Sequence, residues 1–311
     1  MSQKQDTRGG AALQLRVLGA AAGGGSPQWN CRCDVCRLVW EGDPRVTPRT
    51  QSSIAVSVDG ENWALINCAP DILKQIQQTP ALHPCEGRRH TPIASVLLTN
   101  ADVDHIGGLL NLRESSPFRL LATPMIQDVL RGSPVFDVLN PDHVSRESIA
   151  LDQPFSLLDG LQARLFAVPG KTALYLEGDQ VEIGVEGEST VGVELIGGDR
   201  RAYYIPGCAA MTPALAARLD GADLLLFDGT LWRDDEMVRA GVGHKTGSRM
   251  GHMSMSGEDG SIAALADLSL GKRVFVHINN TNPVLIEDSS ERQTAERAGW
   301  EIAYDGMELS C

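Results

Sequence analysis

The stretch Ser95–Glu114, SVLLTNADVDHIGGLLNLRE, runs from an apolar segment into a turn holding an amide, two carboxylates and one imidazole, and then through Gly-Gly into a helical pattern. A short apolar run closed by turn residues reads as a buried strand, and polar groups gathered between that strand and the next helix mark an α/β unit with its chemistry at one end. Before it, LQLRVLG, SSIAVSV and WALINC read as strands and PDILKQIQQ as a helix with Pro in its first turn. After it come the helix expected beyond Gly107-Gly108, the strand FRLLAT and the Pro-started helix PMIQDVL. Residues 131–153 are polar and weakly periodic, and read as a connection with little regular structure. The pattern then resumes with strands LQARLFAVP, VGVELIG, RAYYIPG, ADLLLFDG, RVFVHIN and WEIAYDG and helices TPALAARL, EDGSIAALADL and SERQTAERAG. Two α/β halves, roughly 11–130 and 154–306, predict one domain over 1–311 built as four layers: helix, sheet, sheet, helix.

Composition narrows the function. A formal charge of −13 over 311 residues makes an acidic surface that repels nucleic-acid phosphates and anionic lipid, which leaves small-molecule or peptide chemistry. A hydrophobic content of 42% supplies a sizeable core, yet no apolar run reaches the roughly 20 residues of a membrane span. MSQKQDTRGGAALQ lacks the basic region and apolar stretch of a signal peptide, so a cytoplasmic location is expected. Oligomeric state is not legible.

Of seven cysteines, three fall in NCRCDVC, where Cys31, Cys33 and Cys36 form C-x-C-x-x-C. Three thiolates this close on a loop can occupy three corners of a tetrahedron, the geometry of structural zinc, whereas ordinary cytosolic thiols are usually buried singly. Asn280, Asp34 or a distant histidine is left as the fourth ligand. The preceding GAAAGGGSPQWNC has neither G-x-G-x-x-G spacing nor the Lys-Ser/Thr of a P-loop, so it reads as a tight turn beside a site and not as a phosphate cradle.

The turn can now be set beside a known motif. Metallo-β-lactamase-fold hydrolases carry H-x-H-x-D-H after a strand; here Asn100, Asp102, Asp104 and His105 give N-x-D-x-D-H, followed by Ile-Gly-Gly. AVPGKTALY resembles the PGHT segment of that fold with Lys171 in place of the histidine, and RVFVHINN sets His277 where the fold has its last metal histidine. LFDGTLW with Asp228 and GHMSMSG with His252 are similar to motifs of the tRNA 3′-processing branch. Taken together, GAAAGGGSPQWNCRCDVC, TNADVDHIGG, MGHMSMSG and VHINNTNPVL closely resemble the pyrroloquinoline quinone (PQQ) biosynthesis protein B family, over about Gly19 to Pro283.

That resemblance implies the metallo-β-lactamase fold, a role in making the redox cofactor PQQ, and iron-dependent hydroxylation by O2 of the tyrosine ring in a cross-linked Glu-Tyr precursor. Other PQQ-pathway proteins are the implied partners. An older proposal for the family is transport of the cofactor or its precursor. The residues favour the oxygenase: a two-zinc hydrolase needs several neutral imidazoles, the turn supplies one, and the charge of Lys171 repels a second cation. Asp104, His105 and His277 would then hold a single Fe(II) as two histidines and one carboxylate, leaving positions for O2 and substrate, although other divalent metals can occupy such a set. Asp102, Asp228, His252 and Lys171 are the expected catalytic residues. The plainer alternatives are that both histidines are core residues, that Asp102 caps the next helix, and that Asp228 and His252 form an inherited hydrogen-bonded pair. A metal-dependent phosphodiesterase-like hydrolase and a non-catalytic carrier of PQQ or its precursor remain the competing functions. His244 and Lys245 are expected on a loop over the site.

Overall fold

The computed structural model describes residues 12–178 and 182–311, so the N-terminal reading falls largely outside the described residues. Two seven-stranded sheets form the frame. In the first the order is Glu308–Ser310, Gln14–Gly19, Ser53–Ser57, Trp63–Ile66, Ile93–Leu97, Phe118–Ala122 and Val144–Ser148. In the second it is Trp300–Ile302, Lys272–Val276, Leu224–Asp228, Arg200–Ile205, Val191–Gly197, Leu161–Ala167 and Pro154–Leu158. Each sheet is antiparallel along one side and parallel along the other.

Side-chain alternation builds the four layers. In Leu224–Asp228, Leu224 and Leu226 join a core that also holds Ile54, Ile66 and Leu97 of the opposite sheet, while Leu225 and Phe227 join a second core with Leu215 and Leu219 of the helix Pro213–Leu219. In the first sheet Leu97 faces the shared core, while Val96 and Leu98 pack with Ile72, Ile126 and Leu130 of the outer helices. Strands covered on both faces need no polar side, which is why these runs are continuously apolar. Leu226 is fully buried between the sheets. Leu226→Ala is therefore expected to cost about 2–5 kcal/mol in denaturant unfolding, and a loss below about 1 kcal/mol would contradict the shared core.

Several expectations need correction. Residues 131–153 are not an unstructured connection: they hold a 3-10 turn, Pro134–Val138, and the edge strand Val144–Ser148, parallel to Phe118–Ala122. VSRES buries only Val144 and is held by backbone pairing and a two-bond Arg119–Glu147 contact at 2.8 Å, so it lacks the apolar alternation that announces a strand. Glu308–Ser310 returns from the C-terminal half to pair with Gln14–Arg16, so the sheets do not divide at the sequence halves. The helix expected after Gly107-Gly108 starts earlier, as one turn at Val103–Ile106, and continues as 3-10 over Gly107–Leu112. Gly108 is there for close approach, since a Cβ would lie 2.1 Å from the Ala69 carbonyl oxygen. EDGSIAALADL shortens to the turn Ser261–Ala264, and the cysteine loop carries a helix, Asp34–Glu41, capped by left-handed Gly42.

The parallel strands position the site. Ile93–Leu97, Arg200–Ile205, Leu224–Asp228 and Lys272–Val276 all release their chains toward one cleft, as expected where ligands collect at the carboxyl ends of parallel strands. Among the described residues no helix is long and apolar enough to cross a membrane.

Candidate metal centre and cleft

Asp104, His105 and His277 come together from the two sheets, with ligand-capable atoms within 4.8 Å of one another. Asp104 Oδ2 is 3.2 Å from His277 Nε2 and 3.8 Å from His105 Nε2. Hydrogen bonding sets which nitrogen of each ring faces inward. His105 Nδ1 donates to Asn100 Oδ1 at 2.7 Å, which leaves the lone pair on Nε2, a buried atom with no hydrogen-bond partner. Thr230 Oγ1 lies 2.6 Å from Asp228 Oδ1 and 2.8 Å from His277 Nδ1. The hydroxyl gives its single proton to the carboxylate and accepts from His277 Nδ1, which turns Nε2 of that ring toward Asp104 Oδ2; a metal ion between them would take the place of the Nε2 proton.

Burial pushes His105 down to about 4 and keeps it a neutral ligand. Burial also works against ionisation of Asp104, but the adjoining His105 and His277 outweigh it and hold the carboxyl well below the usual range. His277 adopts φ +55°, a left-handed backbone that a non-glycine residue holds only when its surroundings enforce it. The enforcement is visible on both sides of the residue: Gly229 N donates to the Val276 carbonyl, and Ile278 N donates to Ala20 O.

Of the other expected site residues all but Asp228 border the same cleft, of about 300 Å3, lined by Asp102, Lys171, Lys245, His252 and Asn279 beside the three above. His252 Nδ1 donates to Asp228 Oδ2 at 2.7 Å, and its ring stacks on His277 with centroids 5.2 Å apart. Asp228 is fully buried and held down chiefly by His252 against the opposing effect of burial. Asp228, His252 and His277 form a second group close enough to hold an ion. Asp102 occupies the N-cap position of Val103–Ile106 but makes no capping bond; its Oδ1 accepts from Leu174 N at 3.3 Å. Lys171 is not a solvated charge: Nζ pairs with Glu177 at 3.1 Å, and Glu177 also takes Arg249. Lys245 borders the cleft while His244 is exposed. A larger open cleft of about 650 Å3 adjoins residues 253–260, but among the described residues no histidine, lysine or cysteine lines it.

Cys31, Cys33 and Cys36 converge in the same way. Asn280 Nδ2 lies 3.2 Å from the Sγ atoms of Cys31 and Cys36 and 3.7 Å from that of Cys33. Of the fourth-ligand candidates this side chain alone is in place; Asp34 is 95% exposed and no histidine joins the group. The hydrogen bond from Cys33 to Cys36 pushes the second thiol down and, with burial, the first up.

The chain is 59% identical to the coenzyme PQQ synthesis protein B of Methylobacterium sp. (strain 4-46), over 96% of this chain and all of that one. It belongs to the coenzyme PQQ synthesis protein B family. The Beta-lactamase superfamily domain model matches residues 62–278. A crystal structure of Zn(2+)-bound PqqB from Methylobacterium extorquens, 60% identical, superposes with TM-score 0.94 over 95% of this chain and 99% of that one. A diphosphatase of the PhnP family shares the fold at TM-score 0.69 and 21% identity, over 96% and 97% of the two chains. Family membership and fold thus agree with the motif reading.

Sequence reasoning missed Thr230, which ties Asp228, His252 and His277 together, and Glu177, which fixes Lys171. Thr230 had a signal, following the strand-end acid in DGT; Glu177 lies two residues past AVPGKTALY, but no spacing there marks it as the partner of Lys171.

Proposed function

We propose that this protein acts in PQQ synthesis as a single-domain, one-iron hydroxylase that uses O2 to oxidise the tyrosine ring of a cross-linked Glu-Tyr amino acid. The observation that carries the reading is the ligand set itself: one carboxylate and two inward Nε2 atoms, one of them buried without a partner, beside an open cleft. Asp104, His105 and His277 would hold Fe(II), which supplies the redox chemistry that a closed-shell zinc ion lacks. His252 Nε2 faces the cleft while Nδ1–H is held by Asp228, so the ring is set to take the phenol proton, with the buried carboxylate stabilising the imidazolium. Asp102 and the Lys171 ammonium border the space for the substrate's charged ends. Asn280, its amide turned to present Oδ1, would complete a Cys3Asn structural zinc site. Family membership supports the place in PQQ synthesis. The test is aerobic incubation of Fe(II)-loaded protein with the Glu-Tyr diamino acid and a two-electron reductant, which supplies the electrons that turn the second oxygen atom into water, followed by mass analysis of the product.

A hydrolase reading has one observation in its favour, the second ion-holding group of Asp228, His252 and His277. Lys171 opposes it, because it lines the same cleft where the fold has a histidine, and its ammonium, paired with Glu177, cannot act as a metal ligand. Lys171→His should therefore raise active-site capacity toward two metals, read as metal per folded chain after zinc loading. Unchanged stoichiometry would mean that Lys171 does not control the second position.

A further inference from the structure

We propose that Asn279 offers its side-chain carbonyl oxygen to an ammonium group of the substrate, and that buried Glu236, acting through Thr281, fixes the amide in that orientation. The ammonium part of this inference rests on the amino-acid substrate proposed above. The orientation follows from counting protons along three buried residues. Glu236 Oε2 accepts from Trp232 N at 2.7 Å, and Oε1 lies 2.6 Å from Thr281 Oγ1. An ionised carboxylate has no proton to give, so the hydroxyl donates to it. With its one proton committed, Thr281 can only accept from Asn279, whose Nδ2 is 2.6 Å away. The NH2 end of Asn279 is thereby turned inward and Oδ1 away.

That oxygen is the part of Asn279 left for a ligand. The backbone N donates to Thr230 O and the backbone carbonyl accepts from Asn282 N, both at 3.0 Å. Among the described residues none donates to Oδ1, and Asn279 lines the cleft. Asp102 borders the same cleft and adds a second acceptor, while Lys245 supplies a cation. A zwitterionic amino acid matches those groups, with its ammonium at the acceptors and its carboxylate at Lys245. Burial shields the relay from water, so its polarity is not averaged by exchange with solvent. Asn279 is a ligand-binding residue in this scheme; Thr281 and Glu236 are positioning residues.

Glu236→Gln tests the relay without changing its size. The glutamine carbonyl keeps the bond from Trp232 N, its NH2 turns to Thr281, and the hydroxyl must then donate to Asn279, which presents NH2 to the cleft. The zinc-loaded full chain is studied at about pH 8.5, above the value of about 7 to which burial raises Glu236, so that the carboxylate is ionised. Hydrogen exchange of the Asn279 side-chain amide, assigned by its loss in Asn279→Asp, reports the orientation. Calorimetry compares the Glu-Tyr diamino acid with a counterpart bearing hydrogen in place of both ammonium groups; any contribution from the metal cancels between proteins. The wild type should show slow amide exchange and about tenfold or greater preference for the diamino acid, and Glu236→Gln fast exchange with the preference lost or reversed. Thr281→Val, which removes the relay hydroxyl, should also speed exchange and erase the preference, and it stands in if the glutamine variant does not fold. Amide exchange unchanged in both variants overturns the relay. Altered exchange with an unaltered preference overturns the ammonium contact, and failure of the wild type to bind the diamino acid overturns both that contact and the substrate reading.

Discussion

His277→Ala is expected to lower iron affinity by roughly 100-fold or more and to abolish O2-dependent product. The substitution removes one of the three proposed protein ligands, a larger loss than the 10–100-fold typical of residues that only orient ligands. It also removes the ring nitrogen that Thr230 holds, since Thr230 Oγ1 lies 2.8 Å from His277 Nδ1. His252→Ala provides the contrast: that ring is held by Asp228 and belongs to the proton-accepting side of the cleft, so iron content should persist while turnover falls by about 100-fold or more. Metal analysis and product assays on both variants check the pair. Equal loss of iron from the two would move His252 into the ligand set.

The second large effect is expected at the thiol cluster. Cys33→Ser should remove one metal ion per chain and cost about 3 kcal/mol or more, a fall in melting temperature of roughly 6 °C or more. The effect should not be confined to stability. Asn280 contacts all three sulfurs, and its carbonyl oxygen lies 3.4 Å from Cys33 Sγ, three residues from His277, so the cluster anchors the loop that carries His277. Reduced iron occupancy is therefore expected in the same variant. Full metal content with unchanged melting would rule out the cluster as a zinc site.

The stretch around Asp104 announced its fold because a buried strand, a polar turn and a glycine pair leave separate marks on the sequence. Leu224–Asp228 and Lys272–Val276 were legible for the same reason: both faces are covered, so the runs are apolar throughout. Val144–Ser148 was not, because an edge strand held by backbone bonds and one Arg–Glu pair needs no apolar pattern. Chemistry-bearing residues at strand ends, Asp104, His105 and His277, could be named in advance. Their orientation could not, because it depends on Asn100 and Thr230 bonding the opposite ring nitrogens. Asn280 was one of several fourth-ligand candidates, and only its distance to three sulfurs separates it from Asp34.

The central claim is that this hydrolase fold carries a one-iron oxygenase. The most direct measurement is incubation of Fe(II)-loaded and zinc-loaded protein with the Glu-Tyr diamino acid and a two-electron reductant under 18O2, with mass analysis of the product. The one-iron reading predicts heavy oxygen in the product ring with iron and no product with zinc. Oxygen drawn only from water, full activity with zinc, or tight binding without conversion by the iron form would contradict it.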